Sequence, residues 1–84
     1  MQVEVTADDI SRGELGDGGR CPVALALQRR LGADLFVDGF EVYKTLSGGR
    51  ARLPEEARLF AKAFDAGEEV EPFEFELDDE KLYL

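Results

Sequence analysis

A chain of 84 residues with formal net charge −9, from 19 acidic and 10 basic side chains, has room for one domain and one core. That charge repels nucleic-acid phosphates and anionic membrane surfaces, so neither is an expected partner and a basic protein is. A single cysteine allows no internal disulfide, which points to a reducing compartment, and no apolar run nears the roughly 18–20 residues of a membrane span.

The expected location is cytoplasmic, because the N-terminal Met-Gln-Val-Glu-Val-Thr is a strand pattern rather than a signal peptide. Asn, His and Trp are missing and Arg outnumbers Lys seven to three. Missing Asn and plentiful charge fit a thermophile, and a GC-rich genome gives the same bias. Residues 1–64 hold ten acids and nine bases; residues 65–84 hold nine acids and one base, so nearly all the excess lies at the C-terminal end.

In chain order, Val3 and Val5 alternate with Gln2, Glu4 and Thr6, a half-buried strand. Thr6-Ala7-Asp8-Asp9 reads as a capping box, with Ile10 pinning one short helical turn before Gly13. A glycine-rich loop, Gly16 to Arg20, leads into Cys21-Pro22. Proline suits the first helical position, Val23, Leu27 and Leu31 form an apolar stripe, and Gly32 is a stop, which predicts a helix over 22–31.

Asp38-Gly39 between Leu35-Phe36-Val37 and Phe40-Glu41-Val42-Tyr43-Lys44-Thr45-Leu46 is a tight-hairpin signal with φ > 0 favoured at both turn positions. A second turn at Ser47-Gly48-Gly49, with Arg50 to Leu53 returning, would make a three-strand meander. Pro54-Glu55-Glu56 opens a second helix whose Ala57, Phe60, Ala63 and Phe64 share a face, ended by Gly67. Phe73-Glu74-Phe75-Glu76-Leu77 is a strand with the apolar side chains inward. Asp78 to Leu84 is read as an acidic and apolar tail, anchored by Leu82, Tyr83 and Leu84.

The expected fold is therefore α+β: residues 1–84 as one domain, a single-layer, mostly antiparallel sheet, and two main helices on one face. Stripped of extras the order is β-α-β-β-α-β, that of ferredoxin-like folds. If Val3, Val5, Phe40, Val42, Phe73, Phe75 and Leu77 face the helices, then Glu4, Glu41, Tyr43, Thr45, Glu74 and Glu76 share the outer face. RNA-binding modules of similar topology carry stacking aromatics and basic groups there, whereas this face would carry four glutamates.

Chemistry has few places to reside. Cys21 sits at a helix start beside Arg20, and both features favour a thiolate. Yet there is no imidazole to act as its base and no second cysteine, and Leu27 stands where a phosphate-loop cysteine enzyme would need Arg. The expectation is a small buried residue, not a catalytic one. Gly16-Asp17-Gly18-Gly19-Arg20 lacks the ending of a nucleotide-binding loop and the spacing of a dinucleotide fingerprint. The carboxylates of residues 68–80 contain no twelve-residue calcium loop. No cofactor and no metal are expected.

Cys21-Pro22-Val23-Ala24-Leu25-Ala26-Leu27, together with Leu53-Pro54 through Phe60, Phe64-Asp65-Ala66-Gly67 and Pro72-Phe73-Glu74-Phe75-Glu76-Leu77, resembles a small group of uncharacterised proteins from bacteriophages and GC-rich bacteria. The resemblance covers about half the chain and implies a standalone small protein, phage-encoded, with no activity or site residue to carry over.

Two functional expectations follow. The first is a non-enzymatic interaction protein, a modulator or nucleic-acid mimic, that meets a basic partner through Glu4, Glu41, Tyr43, Glu74, Glu76, Asp78 and Asp79. The second is a regulatory domain that holds a small anion at Gly18, Gly19, Arg20 and Cys21, where loop N–H groups meet a helix start. A homodimer through exposed sheet edges or the apolar end is a further expectation.

Overall fold

The computed structural model describes residues 1–45 and 48–83, apart from the side chains of Lys81 and Tyr83. Leu46, Ser47 and Leu84 lie outside the described residues, so the centre of the second turn and the last anchor of the tail do too. The elements run β1 (Gln2–Val5), α1 (Ala7–Arg12), α2 (Pro22–Leu31), β2 (Leu35–Val37), β3 (Glu41–Lys44), β4 (Arg50–Arg52), α3 (Glu55–Asp65), β5 (Phe73–Glu76) and a 3₁₀ turn over Glu80–Tyr83. The fold is α+β, and the three strand pairings β1–β5, β2–β3 and β3–β4 are antiparallel.

The caps work as their residue types dictate. At α1 the Thr6 hydroxyl accepts from the Asp9 N–H at 3.1 Å and the Asp9 carboxylate accepts from the Thr6 N–H at 2.9 Å. At α2, Cys21 is the N-cap, Pro22 holds the first position, and Gly32 closes the helix at φ 66°. Helix α3 starts one residue later than read from the sequence, with Pro54 as its N-cap. Its buried face is Ala57, Phe60, Ala61 and Phe64, and Ala63 is only half-buried.

The strands divide into two sheets, β1–β5 and β2–β3–β4, where the ferredoxin-like order anticipates one. Strand β1 gives its ladder to β5 alone, in the register Val3↔Phe75 and Val5↔Phe73. Helix α2 packs against both β1 and β2, so side-chain packing rather than a ladder joins the sheets. Its Val23, Ala24 and Leu27 are fully buried there. Phe60 of α3 stacks on Phe73 at 4.6 Å, and Phe73 on Phe75 at 5.6 Å, which ties α3 to the β1–β5 sheet. One buried cluster spans the chain from Val3 to Leu82.

Two expectations are corrected. Phe40 does not point inward; it is 65% exposed. The Asp38 carboxylate accepts from the Phe40 and Glu41 N–H groups at 2.9 and 2.7 Å, so the turn extends through Phe40 and the strand alternation begins only at Glu41. Positive φ occurs at Gly39 (97°) but not at Asp38, so this is not the turn with two left-handed residues. The expected anchoring of the C-terminal segment is seen at Leu82. Leu82 is fully buried, and its main chain lies against Gly49 so closely that a Cβ there would be 2.5 Å from the Leu82 carbonyl oxygen.

Candidate functional site

Alternation on β1 and β5 sets the first surface. With Val3, Val5 and Phe75 buried beneath, Glu4, Glu74 and Glu76 are directed into solvent. Glu4 stands directly opposite Glu74, and Gln2 opposite Glu76. The Gln2 side-chain amide donates to Glu74 at 2.9 Å, and the Met1 amino group donates to Glu76 at 2.7 Å and lies 3.7 Å from Asp79. Hydrogen bonding to Glu76 holds that amino group's pKa above its ordinary value, against its partial desolvation. Among the described residues no side-chain cation forms an ion pair with Glu4, Glu74 or Glu76. Asp78 follows directly, exposed.

Glu41 and Tyr43, expected on the same face, belong to the other sheet. Tyr43 lies between Phe36, with ring centroids 6.1 Å apart and planes at 13°, and the Arg50 guanidinium, 5.6 Å from the ring centre. Arg50 also approaches Glu41 at 3.8 Å. The Gly18–Gly19 main chain covers Phe36 further along the same row. The structure thus splits the expected acidic plate: one part is exposed carboxylates that meet no side-chain cation among the described residues, the other a row of internal aromatic and cation contacts.

The loop at Gly18, Gly19, Arg20 and Cys21 is closed by its own groups. The Asp17 carboxylate accepts from the Gly19 N–H at 2.9 Å, and the Asp17 carbonyl accepts from the Arg20 N–H at 3.1 Å. Arg20 turns outward to Glu14 at 3.5 Å. The Cys21 sulfur accepts from the Ala24 N–H at 3.4 Å and so occupies the α2 N-terminus. Burial pushes the Cys21 thiol above its ordinary pKa, despite those N–H contacts. Asp17, Asp38 and Asp65 line the adjoining cleft of about 330 Å³, so an anion entering it would meet three carboxylates. Asp65 itself accepts from the Gly16 N–H at 3.1 Å. Among the described residues no group of three or more His, Cys, Asp or Glu is placed to hold a metal ion, and no helix is long and apolar enough to cross a membrane.

Two features were not read from the sequence. Asp9, 3% exposed, is held by Arg29 from α2; the aspartate was legible only as a cap because its partner lies twenty positions away. The other is a groove between the β2–β3 turn and α3, flanked by exposed Phe40 and Leu59. The signal for it was Leu59, an apolar residue off the Ala57, Phe60, Phe64 face.

No protein-family model, no curated protein and no solved structure matches this chain.

Proposed function

We propose that this is a small acidic interaction protein, a modulator or nucleic-acid mimic, that binds a basic surface of a partner protein through the outer face of β1–β5 and the adjoining Asp78. The observation that carries the reading is Glu4 opposite Glu74. Like charges placed directly across a ladder repel, and among the described residues no side-chain cation forms an ion pair with either of them. A lysine- or arginine-rich partner supplies the missing countercharge. Tyr43 and Glu41 are left out of this surface because their contacts are made within the chain.

Charge complementarity of this kind acts mainly on the rate of encounter and is weakened by salt. The test is capture from host lysate at low salt, followed by titration of the purified partner. Glu4→Gln, Glu74→Gln and Glu76→Gln together are expected to abolish capture, and added salt to weaken it. Absence of a basic partner at any ionic strength, or a partner indifferent to the triple variant, rejects the reading. The closed, carboxylate-lined loop at Gly18–Cys21 offers no observation in favour of an anion site.

A further inference from the structure

Phe40 and Leu59 are 65% and 59% exposed, and they flank one groove of about 490 Å³ between the β2–β3 turn and the outer stripe of α3. Two large apolar side chains beside one concavity are characteristic of a contact surface rather than of scattered surface hydrophobics. The rim holds Glu55, Arg58, Lys62 and Asp65, two acids and two bases, in a chain of net charge −9. Among the described residues Glu55, Arg58 and Lys62 form no ion pair, and the Arg58 Nε is buried without an acceptor.

We infer that this stripe is the interface of a two-fold homodimer, with a second copy of the chain as the occupant. The arrangement of charge selects that occupant. A uniformly basic partner would meet Arg58 and Lys62, and a uniformly acidic one Glu55 and Asp65. A two-fold copy about an axis near the middle of α3 presents the opposite sign at Glu55 and at Lys62. With the axis passing between Arg58 and Leu59, two antiparallel α3 helices place Glu55 and Lys62 each about 5 Å along the helix from it. Glu55 of one copy then faces Lys62 of the other, twice, around a centre of paired Leu59 side chains, with Phe40 closing each side. The rim's two acids and two bases sum to zero, so this face adds no net charge of its own to the repulsion between two −9 chains. The surface is distinct from the carboxylate face of β1–β5 and leaves that face free.

Sedimentation velocity of the full chain, from roughly 1 μM to 1 mM, tests this. The expected result is a concentration-dependent species of twice the 9.3 kDa chain mass. Leu59→Glu is expected to weaken association by about a hundredfold, because symmetry counts each loss twice. Glu55→Lys and Lys62→Glu are each expected to weaken it by about tenfold, and the double swap Glu55→Lys/Lys62→Glu to restore it. All three positions are at the surface, and circular dichroism checks each variant for an unchanged fold. Glu74→Gln/Glu76→Gln is expected to dimerise like the parent, which separates this result from the fate of the basic-partner reading. A monomer across the whole range overturns the inference. So does a dimer indifferent to Leu59→Glu, or a double swap no better than the single ones.

Discussion

Arg29, in the last turns of α2, donates from both terminal nitrogens to the carboxylate of Asp9, which is 3% exposed and also closes the cap of α1. The same guanidinium donates to the Glu4 carbonyl at 3.0 Å. One side chain therefore joins α1, α2 and β1. Burial by itself would raise the Asp9 pKa; the Arg29 hydrogen bonds and those from Thr6 outweigh it and hold the carboxyl below its ordinary range.

The pH consequence has a definite sign. A carboxylate whose pKa is lower in the folded state contributes stability that is full above the unfolded value, about pH 4, and is lost as pH falls through the folded value. Asp38, lowered by the Glu41 and Phe40 N–H groups, acts in the same window. Urea unfolding should give a constant midpoint from about pH 8 to 5 and a falling one below about pH 4. Asp9→Asn should flatten that fall. Arg29→Met should cost about 2 kcal/mol at neutral pH, the lower end for a buried pair because Arg29 is half exposed, or about 10 °C in Tm.

Glu4 and Glu74 face each other across the β1–β5 ladder. Glu74→Lys replaces repulsion with attraction and should stabilise the fold by about 0.2–1 kcal/mol. The gain should shrink as salt is added, because both side chains are exposed. Denaturation midpoints at low and high ionic strength check both the sign and the salt dependence.

The Cys21 thiol is 6% exposed and its pKa is raised by burial, so the reactive thiolate is scarce at neutral pH. Labelling by a thiol reagent should be slow in the folded protein and fast in denaturant. Cys21→Ser should fold normally, because serine is a good N-cap, whereas Cys21→Ala should lose about 1 kcal/mol with the cap. Rapid native labelling would contradict the buried-cap role.

Gly18 and Gly16 should respond differently to alanine. A Cβ on Gly18 would lie 2.6 Å from the Val37 carbonyl oxygen, and the Gly18 carbonyl accepts from the Val37 N–H at 2.8 Å. Gly18→Ala should cost about 1–3 kcal/mol and speed hydrogen exchange at the Val37 amide. Gly16, at φ 70° in open space, should cost about 1 kcal/mol through backbone strain alone and leave the Val37 amide protected.

The amino-acid sequence by itself determined the local elements. Proline at the start and glycine at the end delimit α2, Thr6 and Asp9 cap α1, and Phe73-Glu74-Phe75 alternates as β5 does, because caps and periodicity act over a few residues. The outward direction of Glu4, Glu74 and Glu76 was legible for the same reason. Tertiary structure alone decided which strands pair. It placed Glu41 and Tyr43 on a different sheet from Glu4, because α2 packs between β1 and β2 and no ladder joins the two sheets. It also set Phe40 in solvent, since the Asp38 carboxylate captures two N–H groups and delays the strand. Arg29 on Asp9, and Phe40 beside Leu59, are pairs far apart in the chain. No period or propensity encodes them, because their contact depends on how whole elements pack.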